Sequence, residues 1–359
     1  MAKVEHLYLH VPFCATKCRY CAFYSAPGKT DRMSAFVDAV LAELQPWADR
    51  LAPKTIFIGG GTPSLLPAPL LRQLFAGLPR DPELIEWTVE CNPATVTPEK
   101  MAAFQEAGVN RISLGVQSLD DALLQTLGRI HTAATAVATY RDLRAAGFDN
   151  LNLDLMFGLP GQTLEQWRTT LEQAIELQPD HFSTYCLSFE EDTEFWKLFQ
   201  AGQLRHNSEQ ELAMYELTID TLAAAGYRQY EISNFAKPGR ECQHNIAIWE
   251  GRDYLGVGPS ACSTVGNRRW QNISDIDRYA TGPNAPAFEE QLTPVLRAAE
   301  RAAFGMRMTA GVPAELVRGR FDRQVANLLN AELAYWHDGR LRPTRRGILF
   351  ADEVATEFV

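Results

Sequence analysis

Residues 8–21 read Tyr8-Leu9-His10-Val11-Pro12-Phe13-Cys14-Ala15-Thr16-Lys17-Cys18-Arg19-Tyr20-Cys21. The stretch His6–Phe13 has the length and apolar content of a buried strand, and it runs into a loop that carries three cysteines within eight residues. Three thiolates on one loop can each take one iron of a 4Fe–4S cube, which leaves the fourth iron without a protein ligand. An open iron accepts the amino and carboxylate groups of an amino acid, and a low-potential cluster can pass one electron to a sulfonium held there, breaking a carbon–sulfur bond. The alternatives are a zinc site or three unrelated thiols. Zinc usually takes CxxC pairs with a further ligand at a distance.

Beyond the loop, short apolar runs alternate with helical patterns. Strands are expected at Thr55–Ile58 (running into Gly59-Gly60-Gly61), Trp87–Glu90, Arg111–Val116, Asn150–Met156, His181–Leu187 and Gln229–Ile232. Over Met33–Trp47, Phe36, Val37, Val40, Leu41 and Leu44 fall on one helical stripe. Thr97 stands as a cap before a helix that Gly108 stops, and a helix from Thr163 to Leu177 follows the turn Gly158-Leu159-Pro160-Gly161. Two more helices are expected around Thr193–Ala201 and Ser208–Ala225.

Successive βα units imply parallel strands with helical crossovers, so the expected class is α/β, a partial (β/α)6 TIM-like barrel. Chemistry in such folds gathers at the C-terminal ends of the strands. Gly60, Gly61, Thr62, Glu90, Gln117, Arg129 and Asp154 fall at or just after those ends. After about residue 236 the rhythm breaks. The expected domains are a core over 1–235, a segment over 236–290 in which Ser274–Glu290 reads as a linker, and a small, mainly helical domain over 291–359 with a wing-like turn at Asp338-Gly339.

The formal net charge of −10, without a block of like charges, argues against a nucleic-acid footprint, which needs clustered Lys and Arg. Neither a signal peptide nor an apolar run of about 20 residues is visible, so a cytoplasmic protein is expected. Seven cysteines in that compartment suggest metal or redox chemistry before disulfides.

Together these motifs resemble the radical SAM superfamily, whose signature is CxxxCxxC after the first strand; SAM is S-adenosylmethionine. Tyr8–Cys14, Gly59-Gly60-Gly61-Thr62-Pro63-Ser64, Gly115-Val116-Gln117-Ser118 and Asp154-Leu155-Met156-Phe157-Gly158-Leu159-Pro160 resemble, in order, motifs of its coproporphyrinogen dehydrogenase-like branch. The resemblance implies a 4Fe–4S cluster on Cys14, Cys18 and Cys21. It also implies SAM contacts at Tyr8, Tyr20, Gly60, Gly61, Thr62, Glu90, Gln117, Arg129 and Asp154, with the Arg129 fork facing the methionine carboxylate.

Two departures separate this chain from the porphyrinogen-oxidising members. Phe23 stands where they carry a fourth cysteine, and Cys14 lies almost at the start where they have a longer leading segment. Both are similar instead to the HemW-type heme chaperone group. Cys242-Gln243-His244-Asn245-Ile246-Ala247-Ile248-Trp249 resembles that group's HNxxYW heme motif, with Ile248 in place of the tyrosine. The resemblance implies heme ligation by a neutral His244 imidazole and packing of Trp249 on the porphyrin. On the residues alone, His244 reads first as an ordinary hydrogen-bonded histidine shaping the end of the barrel. Cys91, Cys186, Cys242 and Cys262 are expected as small core or near-surface residues.

The implied function is a heme chaperone with no catalytic residue. It would hand heme to an accepting hemoprotein, and peripheral contact with a membrane face would be the setting. The alternative is a radical SAM enzyme acting on a tetrapyrrole such as coproporphyrinogen III.

Anaerobic reconstitution should load iron and sulfide, and SAM should shift the electron paramagnetic resonance spectrum. Alanine at Cys14, Cys18 or Cys21 should abolish loading. Uptake of zinc alone would remove the cluster from this reading.

Overall fold

A computed structural model describes residues 3–282 and 286–359. Strand β1 (Val4–Val11) buries Val4, Leu7, Leu9 and Val11 and runs into β2 (Phe13–Cys14), which pairs in parallel with β3 (Ala26–Pro27) and closes the base of the cysteine loop. There follow α1 (Thr30–Leu44), β4 (Leu51–Gly60), α2 (Ala68–Gly77), β5 (Glu86–Cys91), α3 (Pro98–Ala107), β6 (Arg111–Gln117), α4 (Asp121–Leu127), α5 (Ala133–Ala145), β7 (Leu151–Phe157), α6 (Leu164–Glu176) and β8 (His181–Cys186). After α7 (Glu194–Gln200) and α8 (Ser208–Ala224) come β9 (Arg228–Gln229), β10 (Asn234–Ala236), α9 (Gln243–Trp249) and β11 (Leu255–Val257).

These strands form one sheet in the order β11-β1-β4-β5-β6-β7-β8-β10-β9. Every pair from β11 to β8 is parallel, and β10 and β9 add antiparallel at the far edge. The six expected βα strands thus lie side by side as an open α/β sheet. Parallel strands are covered on both faces, which accounts for near-continuous burial such as Glu86–Val89 in β5. The α1 stripe packs inward as its spacing requires, with Phe36, Val37, Val40 and Leu44 buried and Leu41 partly so.

Local chemistry sets the helix ends. Gly108 closes α3 in the left-handed region (φ 86°). Thr97 does precede α3, but its hydroxyl donates to the Glu99 carboxylate at 2.8 Å instead of capping the backbone. Thr163 and Gln166 form a complete capping box at the start of α6.

Two further expectations change. The strand expected at Gln229–Ile232 is cut to Arg228–Gln229 because the backbone of the next residues pairs with the C-terminal region instead. Thr309 N–H donates to Tyr230 O at 3.0 Å and Ile232 N–H to Arg307 O at 3.1 Å. The stretch Ser274–Glu290, which composition marks as a linker, carries structure. A three-stranded antiparallel sheet forms from β12 (Cys262–Val265), β13 (Arg268–Gln271) and β14 (Phe288–Gln291), and helix α10 (Ile276–Ala280) lies before β14. In α10, Ile276 and Tyr279 are buried, and the Tyr279 hydroxyl donates to Glu43 of α1. Residues 283–285 of that stretch lie outside the described residues.

The rest comprises α11 (Pro294–Gly305), β15 (Val312–Pro313), α12 (Ala314–Val317), α13 (Asp322–Asn330), β16 (Ala334–His337), β17 (Arg340–Pro343), α14 (Arg345–Leu349) and α15 (Ala351–Thr356). It has its own apolar core around Ala302, Met306, Val317, Leu328, Leu341 and Val354. The wing-like turn is present: Asp338 (φ 47°) and Gly339 (φ 71°) join β16 to β17, the two positive φ angles a tight hairpin needs. Among the described residues, no helix is long and apolar enough to cross a membrane.

Thr163→Ala removes the reciprocal cap of α6 and should cost about 1 kcal/mol. The expected readout is a lower urea midpoint at unchanged slope.

Candidate cluster and cofactor site

A cavity of about 660 Å³ opens at the C-terminal ends of the parallel strands. Gly60 comes from β4, Glu90 from β5, Gln117 from β6, Asp154 from β7 and Tyr185 from β8, and all five line it. Neighbouring strands lie about 4.8 Å apart, so five strand ends share one cavity only if the sheet curls. That curl is the partial barrel. The volume lies within the range of about 300–1,000 Å³ usual for small-molecule sites.

The cysteine loop forms one wall. Cys14, Cys18 and Cys21 are unpaired, partly exposed and all line the cavity. The loop is tied down on several sides. Ala26 N–H donates to Pro12 O (2.7 Å), Arg19 N–H to Leu127 O (3.2 Å) and Phe195 N–H to Arg19 O (3.0 Å). The Arg19 guanidinium pairs with Glu194 at 2.8 Å. The Cys14 thiol lies 3.7 Å from the Thr62 hydroxyl. Burial pushes the Cys21 thiol up. Among the described residues, no three His, Cys, Asp or Glu side chains converge on a point that could hold a single ion. Three free thiols along one wall of a roomy cavity suit a multi-iron cube.

Arg129 bridges the loop and the strand ends. Its Nη1 donates to Cys18 Sγ (3.4 Å) and its Nη2 to Gly115 O (2.6 Å), while its buried Nε has no protein partner. A guanidinium that lines the cavity and keeps one donor without a protein partner suits an anionic ligand group. Gln117 adopts φ 68° at the end of β6, and a Cβ on Gly115 would stand 3.1 Å from its amide and 3.3 Å from Arg129 Nη2. The two side chains therefore crowd over one bare backbone.

The glycine run is required by packing as well as by any ligand. A Cβ on Gly59 would lie 2.7 Å from Glu90 Oε2, one on Gly60 2.5 Å from the His10 ring, and one on Gly61 2.7 Å from Phe13 O. Gly60 also holds φ 103° and donates its N–H to Glu90 Oε2 at 3.1 Å. Burial first, then the neighbouring Asp154, pushes the Glu90 carboxyl up to about 8. Burial also raises Asp154, although its carboxyl accepts from Asn152 Nδ2 at 2.7 Å and from Ser113 Oγ at 3.2 Å. At neutral pH Glu90 is held largely protonated.

Tyr20, Gly60, Gly61, Thr62, Glu90, Gln117, Arg129 and Asp154 thus meet at this cavity together with the three cysteines. Asp154 differs from expectation in one respect: it sits in the middle of β7, not at its end, and its side chain faces the space that the curl encloses. Tyr8 stands behind the wall, with its hydroxyl 3.0 Å from His10 Nδ1. His244 is elsewhere. It is 4% exposed in the first turn of α9, with Nδ1 at 2.8 Å from the Thr55 hydroxyl and its ring against Phe57. Burial pushes its imidazole down to about 3, so it is neutral. Trp249, at the other end of α9, packs edge-on against Phe304 with the Arg307 guanidinium over it at 5.2 Å.

Tyr185, Cys186 and Met156 also line the cavity and were not singled out from the sequence. The rule that favours strand C-terminal ends points to Tyr185 and Cys186, since β8 ends there. Cys91, expected as a core residue, is buried at the cavity edge, and Cys242 is buried away from it. Phe23, 64% exposed, stands at the cavity mouth.

Comparison with known proteins gives the family and the fold. The profile of the Radical SAM superfamily matches residues 8–174. The heme chaperone HemW of Lactococcus lactis is 34% identical over 374 residues, spanning 100% of this chain and 98% of that protein. HemW of Bacillus subtilis is 36% identical over 342 residues, with coverage of 92% and 90%. Among solved structures, coproporphyrinogen III oxidase (HemN) from Escherichia coli superposes with a TM-score of 0.84 over 99% of this chain and 90% of that one, at 22% identity. That likeness is one of fold.

Glu90 has a sign that can be checked. Its folded value of about 8 lies above the ordinary 4.5. The stability from its neutral form is therefore complete below the ordinary value and is lost as pH rises through about 8. In cofactor-free protein, Glu90→Gln should flatten the fall in urea stability between about pH 5 and 8. Asp154 keeps a residual slope of the same sign. An unchanged profile would show Glu90 ionised throughout.

Proposed function

Because the chain belongs to the HemW heme chaperones of the radical SAM superfamily, we propose that it binds heme and transfers it to heme-accepting proteins while carrying a 4Fe–4S cluster with exchangeable SAM. The observation that carries this reading is the cavity in which three unpaired thiols, an unpartnered Arg129 Nε and two raised carboxyls meet, in a chain similar to HemW over nearly its whole length.

Within that reading Cys14, Cys18 and Cys21 hold the cluster. When bound, a cluster of this type supplies an open iron and one low-potential electron. Gly60 and Gly61 give bare backbone for the methionine part of SAM, and Thr62 adds a hydroxyl. Arg129 faces the methionine carboxylate. Glu90, Gln117, Asp154 and Tyr20 complete the pocket, and Tyr8 acts from behind it through His10. His244 is the proposed heme ligand. Its neutral imidazole suits iron, and its burial means that the first turn of α9 must loosen before iron can reach it.

The proposed organisation is a radical SAM core over 1–235, the heme-motif segment over 236–290 and a C-terminal domain over 291–359 that meets the acceptor. The proposed setting is the cytosol, where seven unpaired cysteines suit a reducing compartment, with handover at a membrane face.

The fold likeness to coproporphyrinogen III oxidase favours one rival, an enzyme acting on a tetrapyrrole. Phe23 at the cavity mouth, in place of a fourth cysteine, is the feature that speaks against it. Purified protein should bind heme, and His244→Ala should weaken binding at least about tenfold with a changed heme spectrum, a loss of about 1.4 kcal/mol. Identical affinity and spectrum would remove His244 from the site. Anaerobic incubation with SAM, reductant and coproporphyrinogen III should yield no protoporphyrinogen, and its formation would establish the rival.

A further inference from the structure

Below the cavity, a file of buried polar groups crosses the barrel interior. It starts at Asp154, which accepts from Asn152 Nδ2 at 2.7 Å. Asn152 Oδ1 lies 2.6 Å from His181 Nδ1, and His181 Nε2 lies 2.8 Å from the Tyr230 hydroxyl. That hydroxyl accepts from the Cys242 N–H at 3.3 Å. The Cys242 thiol donates to Glu86 Oε1 at 3.3 Å, and the same oxygen accepts from the His244 N–H at 3.0 Å. Glu86 Oε2 takes the Gln243 N–H at 2.8 Å. Asn152, His181, Tyr230, Cys242, Glu86 and His244 are all buried.

The chemistry fixes a direction along the file. Asn152 Oδ1 only accepts, so His181 Nδ1 carries the hydrogen and Nε2 accepts from Tyr230. Burial holds His181 neutral, well below its ordinary value, as this tautomer requires. From the Cys242 N–H onward, every donor points toward Asp154. Bonds aligned head to tail polarise one another, and water does not screen them here. Arg111, fully buried, lies within electrostatic reach of Asp154, Tyr230, Cys242 and Glu86, and its Nε has no protein partner.

One end of the file is a wall of the cofactor cavity; the other is the first turn of the heme-motif helix. We propose that Asn152, His181, Tyr230, Cys242 and Glu86 are positioning residues for the heme motif, through which occupancy of the pocket at Asp154 sets how firmly Glu86 holds the first turn of α9. This rests on the heme reading above, and it gives SAM a role there: its binding changes the affinity for heme, and heme changes the affinity for SAM by the same factor.

Tyr230→Phe cuts the file at a single oxygen and keeps the ring. Tyr227→Phe is the control, because its hydroxyl is also buried but donates to Pro179 O at 2.7 Å, off the file. The measurement is the heme dissociation constant of reconstituted full-length protein with and without saturating SAM. Wild type and Tyr227→Phe should show a change of at least about fivefold, the lower end of ordinary coupling. In Tyr230→Phe the two constants should become equal. A residue with only a structural role would lower both constants' affinities together and leave their ratio intact.

A wild-type ratio of one, or a ratio in Tyr230→Phe equal to that of wild type, overturns the proposal. Wild-type protein that takes up no heme fails earlier and removes the heme reading itself. Amide exchange in wild type gives the same answer without a variant: protection of the Gln243 and His244 N–H groups should change on adding SAM, and unchanged protection overturns the coupling.

Discussion

The close approach of β4 to the base of the cysteine loop organises everything above it. Gly61 N–H donates to Val11 O at 2.8 Å, and a Cβ at that position would stand 2.9 Å from the same oxygen. Only bare backbone allows the contact. It presses the turn after β4 against the end of β1, and so sets Cys14 beside Thr62 and the loop over the strand ends. The curl of the sheet then brings four more strand ends to the same cavity. Thiols, bare backbone and raised carboxyls face one another because of these two packing facts, one local and one global.

Inside the barrel the charge balance is unusual for a core. Glu90, Asp154, Glu86 and Arg111 lie on adjacent strands β5, β6 and β7, where most parallel-barrel interiors are apolar. Burial raises both Glu90 and Asp154, so at least the former carries its proton at neutral pH. A neutral carboxyl is a donor as well as an acceptor, which suits a pocket for a ligand that itself carries both kinds of group. Such a buried network costs folding free energy, and each member must be satisfied by another. Among the described residues, the buried Nε atoms of Arg111 and Arg129 are members of this interior left without a protein partner.

The C-terminal region is joined to this interior and not merely appended. Its backbone at Arg307 and Thr309 pairs with Ile232 and Tyr230, and Arg307 covers Trp249 at the end of α9. Helix α9 is therefore held at three places: at its start by Glu86, at His244 by Thr55, and at its end by the C-terminal region. A carrier has to release what it holds. A helix whose contacts run to both the barrel interior and the C-terminal region is suited to that, because either neighbour can bias it.

The α/β class, the order of the units and the three-cysteine loop were legible in the sequence because they rest on local rules: strand length, helix period, glycine stops and thiol spacing over eight residues. The same rules put Gly60, Gly61 and Gln117 at strand ends, where they lie; Arg129, expected there too, instead follows α4 and reaches back to Gly115 of β6 through its long side chain. They misjudged Ser274–Glu290, since α10 is held by a distant partner, Glu43, that composition does not reveal. They allowed His244 to be a hydrogen-bonded structural histidine, as its contact with Thr55 shows it to be, but not which residues bury it. Burial is a property of what packs around a residue, and Thr55, Phe57 and Glu86 reach His244 from strands more than 150 positions away in the chain. The file from Asp154 to His244 belongs to the tertiary structure alone, because side chains of β5, β7 and β8 and of the connections that carry Tyr230 and Cys242 become neighbours only when the sheet curls.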